Sequence, residues 1–357
     1  MRAMVVKEFN QLRRDRRTLA MMIFLPVLLL IVFGYAASFD VKRIPVVVVG
    51  PRAGPVADEL RAPFAVVERD PGAGRVLAEQ RLRDGDAAAA ILTGMRPPLV
   101  LLDGSQLFSA RAAEAALAQQ MQPGVAIGKQ ARASRVQVLF NPSLRTSAVL
   151  VSGIAGLILL FIVTVTTSLG VVRERQAGTL EQLAVMPLSP WDVIVGKIVP
   201  YFLVGVLDLV ATVVLAVVVF SVPFNGSVAT LALGGLLFLL VTTGMGVLIS
   251  TVSQNQGQAI QLAIMTLLPQ ILLSGLIFPV SSMAAGVRWI AYLLPLKYFI
   301  DITRGVMLRG APITSLWVPL LMLGVLGGAV LGLAVLRFRR DLAPAVHHHG
   351  PRAAAAS

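Results

Sequence analysis

The sequence predicts an α-helical polytopic membrane protein with six transmembrane helices and an α/β extracytoplasmic domain between the first two of them. Of its 357 residues, 56% are hydrophobic and 14% are charged, whereas about a quarter of the residues in a soluble domain are charged. Runs without any charged side chain cover 18–39, 146–172 and 310–336, and the range 198–287 contains a single one, Asp208. A span needs about 20 apolar residues, so lipid is the expected solvent for most of the chain.

The N-terminal part predicts an amphipathic cytoplasmic interface helix over 1–17 and a first transmembrane span over 18–39. Met1, Val5 and Phe9 fall on one face of the first helix, and such a helix lies in the plane of the membrane surface. A cleaved signal peptide is the alternative, because a basic start before an apolar run fits both. The length of the apolar run and its poor cleavage site favour a retained span.

Residues 40–143 predict a small α/β domain, because charges of both signs are frequent there and Pro and Gly interrupt the chain regularly. Short apolar runs typical of buried strands alternate with helical patterns, which indicates an α/β architecture. The predicted strands cover 44–49, 64–68, 87–92, 99–102 and 136–140, and the predicted helices cover 75–83 and 108–120. The domain lies outside the membrane on the far side from the cytoplasm if the termini are cytoplasmic.

Residues 144–340 predict a transmembrane domain of five further spans. These spans are placed at 148–169, 199–220, 229–251, 259–278 and 316–336. Six spans put both termini on one side, and the arginines before the first span and after the last are typical of a cytoplasmic side. Residues 341–357, including His347 to His349, predict a disordered cytoplasmic tail, and the histidines are given no role.

The loop before the last span predicts a pair of outer re-entrant helices over 281–309. Its basic residues would lie outside, against the positive-inside rule, yet its aromatic residues belong at a headgroup boundary. Tyr298, Asp301 and Arg304 recur every three residues, so they share one helical face on which Asp301 can pair with Arg304. A structural brace is favoured over ligand contact for these three residues.

The segment 172–191 is a charged, helix-forming insert between two long apolar runs. Its charged residues belong at the membrane surface, because burying them in lipid is costly. Gly178 permits a sharp bend, Thr179 can cap a helix, and Leu180 and Leu183 would offer an apolar patch to a partner. Two interpretations follow from the residues alone: a docking surface for a partner protein, or a solvated link that obeys the positive-inside rule.

The motif Arg-Glu-Arg-x-x-Gly-Thr-Leu-Glu-x-Leu begins at Arg173, and Pro-Leu-Ser-Pro-Trp begins at Pro187. Two further motifs are Leu-Ser-Gly-Leu-Ile-Phe-Pro over 273–279 and Leu-Pro-Leu-Lys-Tyr-Phe-Ile-Asp-Ile-Thr-Arg-Gly over 294–305. As a set they resemble the membrane subunits of ABC-2-type exporters, in the multidrug-efflux-like branch with a large extracytoplasmic domain. The resemblance covers essentially the whole chain and implies that 172–191 is a coupling helix that docks on an ATPase subunit. The coupling role is assigned to Arg173, Glu174, Arg175, Gly178, Thr179, Leu180, Glu181, Leu183 and Pro187.

The resemblance also implies the partners. They are an ABC ATPase subunit that binds ATP and Mg²⁺ and a second permease copy or paralogue, with homodimer and heterodimer both open. A periplasmic adaptor is a further candidate, and the expected location is the bacterial inner membrane. The amphipathic helix over 1–17 would be a second contact with the ATPase.

The chain is expected to be no enzyme and to bind no cofactor of its own. It has no Gly-x-x-x-x-Gly-Lys-Ser/Thr phosphate loop, since Gly-Val-Ala-Ile-Gly-Lys over 124–129 has the wrong spacing. It has no cysteine, which excludes thiolate metal sites and disulfides. The net charge of +13 is concentrated beside apolar segments and so argues against a nucleic-acid partner.

Asp208 falls near the middle of a predicted span. A carboxylate there costs about 2.5–3.5 kcal/mol on insertion scales, so an intramembrane acid is by default a hypothesis about function. Asp208 is therefore a candidate pathway residue that could meet a cationic substrate. The alternative is a protonated carboxyl group bonded to Thr242 or Gln261, and the residues alone leave both open.

Gly324, Gly328 and Gly332 recur every four residues in the last span. Such a stripe allows two helices to approach closely, either within the subunit or across a dimer. Helix packing is the favoured interpretation of this stripe.

These features together predict a permease subunit of an ATP-driven exporter that moves a hydrophobic or amphipathic substrate outward. The alternative is a membrane-anchored sensor or mechanical transmitter whose outer domain binds a ligand or partner without transport. An intramembrane enzyme is not supported, because no His, Cys or paired acids lie within the predicted spans.

Overall fold

The computed structural model describes residues 41, 43–95, 97–120, 135–177 and 190–342. The predicted interface helix over 1–17, the first span over 18–39 and the last residues of the predicted tail therefore lie outside the described residues. The central part of the predicted coupling helix, 178–189, also lies outside them.

A five-stranded sheet forms the centre of the α/β region, with the strand order β2-β1-β3-β4-β5. Strands β3 and β4 pair antiparallel, and the other neighbours pair parallel. Each predicted strand has a counterpart, with ends that differ by at most two residues. The strands are β1 (Ile44–Val49), β2 (Phe64–Asp70), β3 (Ala89–Leu92), β4 (Leu99–Asp103) and β5 (Arg135–Leu139).

Helices cover both faces of this sheet, which explains why its central strands are apolar on both sides. On β1, Val46 and Val48 pack in one cluster with helices α1 (Ala53–Glu59) and α3 (Leu107–Gln120). Val47 and Val49 point the other way and pack with α2 (Arg75–Asp84). The alternation follows from the two-residue period of a strand and produces a helix–sheet–helix sandwich.

The C-terminal half is a helical bundle. Among the described residues, four helices contain segments that are long and apolar enough to cross a membrane: Thr146–Gln176, Ile198–Val218, Val228–Val252 and Trp317–Arg337. They belong to the long helices α4 (Thr146–Gln176), α5 (Pro190–Val218), α6 (Val228–Val252) and α10 (Trp317–Leu342), and α7 (Gln256–Leu273) follows α6. The protein is a helical membrane protein, and four of the six predicted spans have candidates among the described residues.

Helix α6 lies at the centre of the bundle. Of its most apolar window, 61% is buried within the chain, compared with 17% for α5 and 28% for α10. Glycines permit this central position: a Cβ atom at Gly246 would lie 2.6 Å from Cβ of Thr167 on α4. Small residues allow such close helix approach in a bundle that the hydrophobic effect does not drive together.

The chain between α7 and α10 forms short helices in place of another long one. These are the turn Val280–Ser282, helices α8 (Ala285–Ala291) and α9 (Pro295–Thr303), the π-helical turn Arg304–Arg309 and the turn Ile313–Ser315. The ring of Phe299 on α9 stacks on Phe238 of α6 at 4.3 Å between centroids. Gln270 of α7 accepts a 3.1 Å hydrogen bond from the first turn of α9 at Leu296 N–H. These contacts attach the short helices to the end of the bundle.

Candidate functional site

The predicted coupling element begins in the last turn of α4. There Arg175 donates from Nη1 to the carbonyl oxygens of Ser250, at 3.0 Å, and Ser253, at 3.1 Å. These are carbonyl groups at the C-terminal end of α6, which have no helical partner of their own and favour a cation. Gln256 on α7 adds a 3.0 Å hydrogen bond to Gln176. The end of α4 is therefore tied to the α6–α7 connection.

Only part of the predicted coupling set can be placed. Arg173, Glu174 and Arg175 lie in the final turn of α4, whereas Gly178, Thr179, Leu180, Glu181, Leu183 and Pro187 lie outside the described residues. The next helix, α5, begins at Pro190, where a fixed φ and a missing N–H suit the first turn of a helix.

Asp208 lies half-buried on α5. Among the described residues, none forms a hydrogen bond or ion pair with its carboxyl group. Thr242 donates instead to the carbonyl oxygen of Leu239 at 3.0 Å, so the predicted alternative of an Asp208–Thr242 bond is not formed. Asp208 is thus available to a group from outside the described part of the chain.

An apolar cleft of about 670 Å³ lies between α6, α7 and α10. Its polar lining side chains are Thr266 and Arg337, and the others are aliphatic, including Leu248, Leu262 and Leu333. Sites for small molecules are typically concave, mostly apolar and about 300–1,000 Å³ in volume. The cleft can hold an apolar molecule with one anionic or polar end.

The Gly324, Gly328 and Gly332 stripe faces away from the other described residues. A Cβ atom added at any of the three would meet nothing within 4 Å, whereas one at the neighbouring Gly327 would lie 3.4 Å from Leu240. The stripe therefore does not pack within the described chain.

The predicted brace residues bind groups of the protein itself. Tyr298 donates its hydroxyl proton to the carbonyl oxygen of Tyr292 at 2.7 Å. The predicted pairing of Asp301 with Arg304 is wrong: Asp301 pairs with Lys297 at 2.8 Å. Lys297 lies four residues before Asp301 on the same helical face. Arg304 instead donates to two backbone carbonyl groups.

The α/β region contacts the outer helices through residues that the sequence did not single out. Arg309 Nη1 lies 3.9 Å from Oδ2 of Asp103, which is fully buried. Ser105 and Gln106 also donate to this carboxyl group. Burial raises the pKa of Asp103, although Arg309 and the hydrogen bonds act in the opposite direction. An acid at the end of the buried strand β4 was the available signal.

A second contact joins the same two regions. Ser315 donates to Oδ1 of Asp84 at 2.5 Å. Gly85, in a left-handed conformation at φ 86°, lies against the guanidinium group of Arg309, and a Cβ atom there would be 2.3 Å from Nη1. The left-handed φ favours glycine here, and a side chain would also displace the tip of Arg309.

No group of three His, Cys, Asp or Glu side chains suited to a metal ion occurs in the described ranges. The described residues form a helical membrane domain in which an arginine side chain at each end contacts a neighbouring part of the protein. One arginine reaches the α6–α7 connection, and another reaches the α/β region.

Comparison with known proteins agrees with this architecture. A family model described as ABC-2 family transporter protein matches residues 16–336. The chain belongs to this family. It is a multi-pass membrane protein with the ABC-2 permease fold.

The chain is similar to curated relatives along nearly its full length. It is 31% identical to "Probable multidrug ABC transporter permease YbhR" of Escherichia coli (strain K12), over 95% of this chain and 98% of the relative. It is 29% identical to "Probable multidrug ABC transporter permease YbhS" of the same strain, over 96% of this chain and 97% of the relative. "Inner membrane transport permease YhhJ" of that strain is 35% identical over 50% of this chain and 48% of the relative. The resemblance predicted from the motifs is thus confirmed.

Proposed function

We propose that this chain is the membrane-spanning permease subunit of an ATP-driven exporter that moves a hydrophobic or amphipathic substrate outward. Membership of the ABC-2 family and relatives named as multidrug transporter permeases support a transport role. ATP hydrolysis belongs to a separate ABC ATPase subunit that binds ATP and Mg²⁺. The complex lies in a bacterial inner membrane, with both termini cytoplasmic.

The attachment of Arg175 to the C-terminal end of α6 carries this proposal. An ATPase that pushes on the segment 172–191 would move the end of α4. Because Arg175 bonds to Ser250 and Ser253, α6 would receive the same displacement. A partner's conformational change would then reach the centre of the bundle, where a substrate path can open between subunits.

The apolar cleft supports the proposed substrate class. Its aliphatic lining suits the apolar body of a substrate, and Arg337 at one side suits an anionic or polar end. Asp208, half-buried on α5 without a described partner, is a further candidate pathway residue. A second copy or a paralogue completes the path, and a periplasmic adaptor would bind the α/β region.

Reversing the charge of Glu181 tests the coupling role. We expect Glu181→Arg to abolish co-purification of the ATPase subunit and ATP-dependent export in vesicles, because it places a positive charge where the docking surface of the ATPase would meet a negative one. Glu59→Arg is the matched control, since Glu59 is exposed on α1, and it should retain both activities. Undiminished ATPase binding and export by Glu181→Arg would contradict the proposal.

The second candidate is a membrane-anchored sensor or mechanical transmitter, favoured by the contacts that Arg309 and Ser315 make with the α/β region. The transport assay separates the two functions. An intact complex with the ATPase that hydrolyses ATP but moves no compound of a broad hydrophobic panel would identify the sensor.

A further inference from the structure

A cleft of about 580 Å³ lies where the α/β region meets the outer helices. It is separate from the apolar cleft, and its lining is rich in charge. Three carboxylates line it: Asp84, Asp86 and Asp301. Four cationic side chains also line it: Arg288, Lys297, Arg304 and Arg309.

The carboxylates of this cleft are already engaged. Asp301 pairs with Lys297 at 2.8 Å, and Asp86 pairs with Arg81 at 3.1 Å. Asp84 accepts a hydrogen bond from the hydroxyl group of Ser315. Arg309, for its part, faces the buried Asp103 behind the cleft wall. Lys297 and Arg309 thus each face a carboxylate, and Asp84 keeps its charge beside a neutral hydroxyl group. Arg288 and Arg304 are left without an ion-pair partner among the described residues.

Arg288 and Arg304 have no carboxylate within ion-pair distance in the part of the chain that is described. Arg288 donates from Nη2 to the carbonyl oxygens of Ser281 and Met283, both at 3.0 Å. Arg304 donates to the carbonyl oxygens of Gly275, at 3.3 Å, and Leu276, at 3.4 Å. Backbone carbonyl groups fix the two guanidinium groups without neutralising them. Asp301 and Asp103 act on Arg304 only through space, so neither arginine of this partly enclosed site has an anion in direct contact among the described residues.

Polar groups beside these arginines also lack partners. Ser274, which lines the cleft, is 1% exposed. Its hydroxyl group, and the Nε groups of Arg288 and Arg304, are buried with no hydrogen-bond partner among the described residues. A buried polar group without a partner is unfavourable, and most buried polar groups in proteins are hydrogen-bonded. An acceptor that enters the cleft would remove this cost.

We infer that the cleft binds a phosphate group, held by Arg288 and Arg304 and within reach of Ser274. Arginine binds phosphate oxygens in pairs through its planar fork of N–H groups. A phosphate presents several acceptor oxygens, so two guanidinium groups can share it. The cleft is larger than a phosphate ion, so it also has room for a molecule that carries the group. This inference does not depend on the export proposal.

The phosphate can come from the headgroup of an anionic phospholipid or from a soluble phosphate. The purified full chain in a non-ionic detergent is heated with phosphatidylglycerol, with inorganic phosphate or with phosphatidylcholine, at matched ionic strength. We expect phosphatidylglycerol, inorganic phosphate or both to raise the unfolding midpoint by about 2–4 °C. A response to phosphatidylglycerol alone identifies the lipid, and a response to inorganic phosphate identifies a soluble source.

Variants tie the shift to the cleft. Arg304→Gln and Arg288→Gln should each lose most of the shift, whereas Arg304→Lys should keep part of it through its charge. Arg145→Gln is the matched control, because Arg145 is exposed at the start of α4. If Arg304→Gln does not fold, Arg288→Gln decides. Absence of a shift with either phosphate source, or an unchanged shift in both glutamine variants, would overturn the inference.

Discussion

At the scale of single residues, Asp208 is where a change of one atom can test a transport mechanism. The residue lies on α5, whose apolar window is 17% buried within the chain. An acid in such a place has no described partner to offset its desolvation, and intramembrane acids commonly mark a pathway. Its partner would come from outside the described residues: another part of this chain, a second subunit, water or a substrate.

Asp208→Asn should reduce export of cationic substrates by about tenfold, because an amide cannot offset a positive charge and one lost ion contact of about 1.4 kcal/mol corresponds to that factor. Neutral substrates of similar size should be exported unchanged. The measurement is uptake of paired cationic and neutral dyes into inside-out vesicles.

Asp58→Asn is the control for this experiment, since Asp58 forms an exposed pair with Arg69 and such pairs contribute little. A variant Asp208→Asn that exports both dyes at the original rate would exclude a pathway role.

The residue scale also shows what sequence spacing can decide. Lys297 and Arg304 both stand at helical spacing from Asp301, so periodicity allowed either pair. The π-helical turn that begins at Arg304 changes the local repeat and turns this arginine toward Gly275 and Leu276. A π turn has no sequence signature that would have shown this.

At the scale of elements, one aromatic contact helps to attach the short helix α9 to the bundle. Phe299 and Phe238 are each at most 1% exposed, and their rings are nearly parallel, at 7°. Aromatic pairs contribute beyond the area that they bury.

Phe299→Ala should lower the free energy of unfolding by about 3–5 kcal/mol, because it removes this ring and leaves a cavity. The measurement is reversible unfolding of the purified chain in mixed detergent micelles. Trp289→Ala is the control, since Trp289 on α8 is 58% exposed and should change stability by less than about 0.5 kcal/mol. Equal losses for both variants would show that α9 is not held by the stacked pair.

The strands and long helices were predictable because their signals are local. Apolar runs bounded by Pro and Gly predict β1 and β4, and charge-free runs predict α4, α6 and α10. Helix α1 was not predicted, since Gly54 and Pro55 within its seven residues read as a turn. The antiparallel pairing of β3 with β4 joins neighbouring strands across the short link 93–98, whereas the parallel pairings and the order of the sheet depend on non-local contacts, which a single sequence does not contain. The same is true of the Asp103–Arg309 pair.

At the scale of the whole molecule, we propose that a second subunit binds at the exposed surfaces of α5 and α10. The two helices contact one another, so their exposed apolar side chains form adjoining surfaces. The Gly324, Gly328 and Gly332 stripe lies on α10 with free space in front of it. Close contact between two such stripes is a common mode of helix pairing in membranes.

Gly328→Leu should weaken subunit pairing by about tenfold or more, because a leucine would hold the two helices apart. The measurement is the dimer fraction as a function of protein-to-lipid ratio, by single-molecule photobleaching in vesicles. Gly286→Leu is the control, since Gly286 on α8 is also exposed with nothing within 4 Å. A dimer fraction that does not change with Gly328→Leu would place the stripe against lipid.

The length of helix α4 and the attachments at its two ends have a mechanical consequence. Its 31 residues contain no proline, so it is a stiff rod of about 46 Å. One end is bonded to the α/β region through Arg111 and Thr146, and the other carries Arg175. A rod of this length that swings by about 10° about one end sweeps the other through about 8 Å. A small rotation of α4 at one side of the membrane would thus produce a displacement of several ångströms at the opposite side.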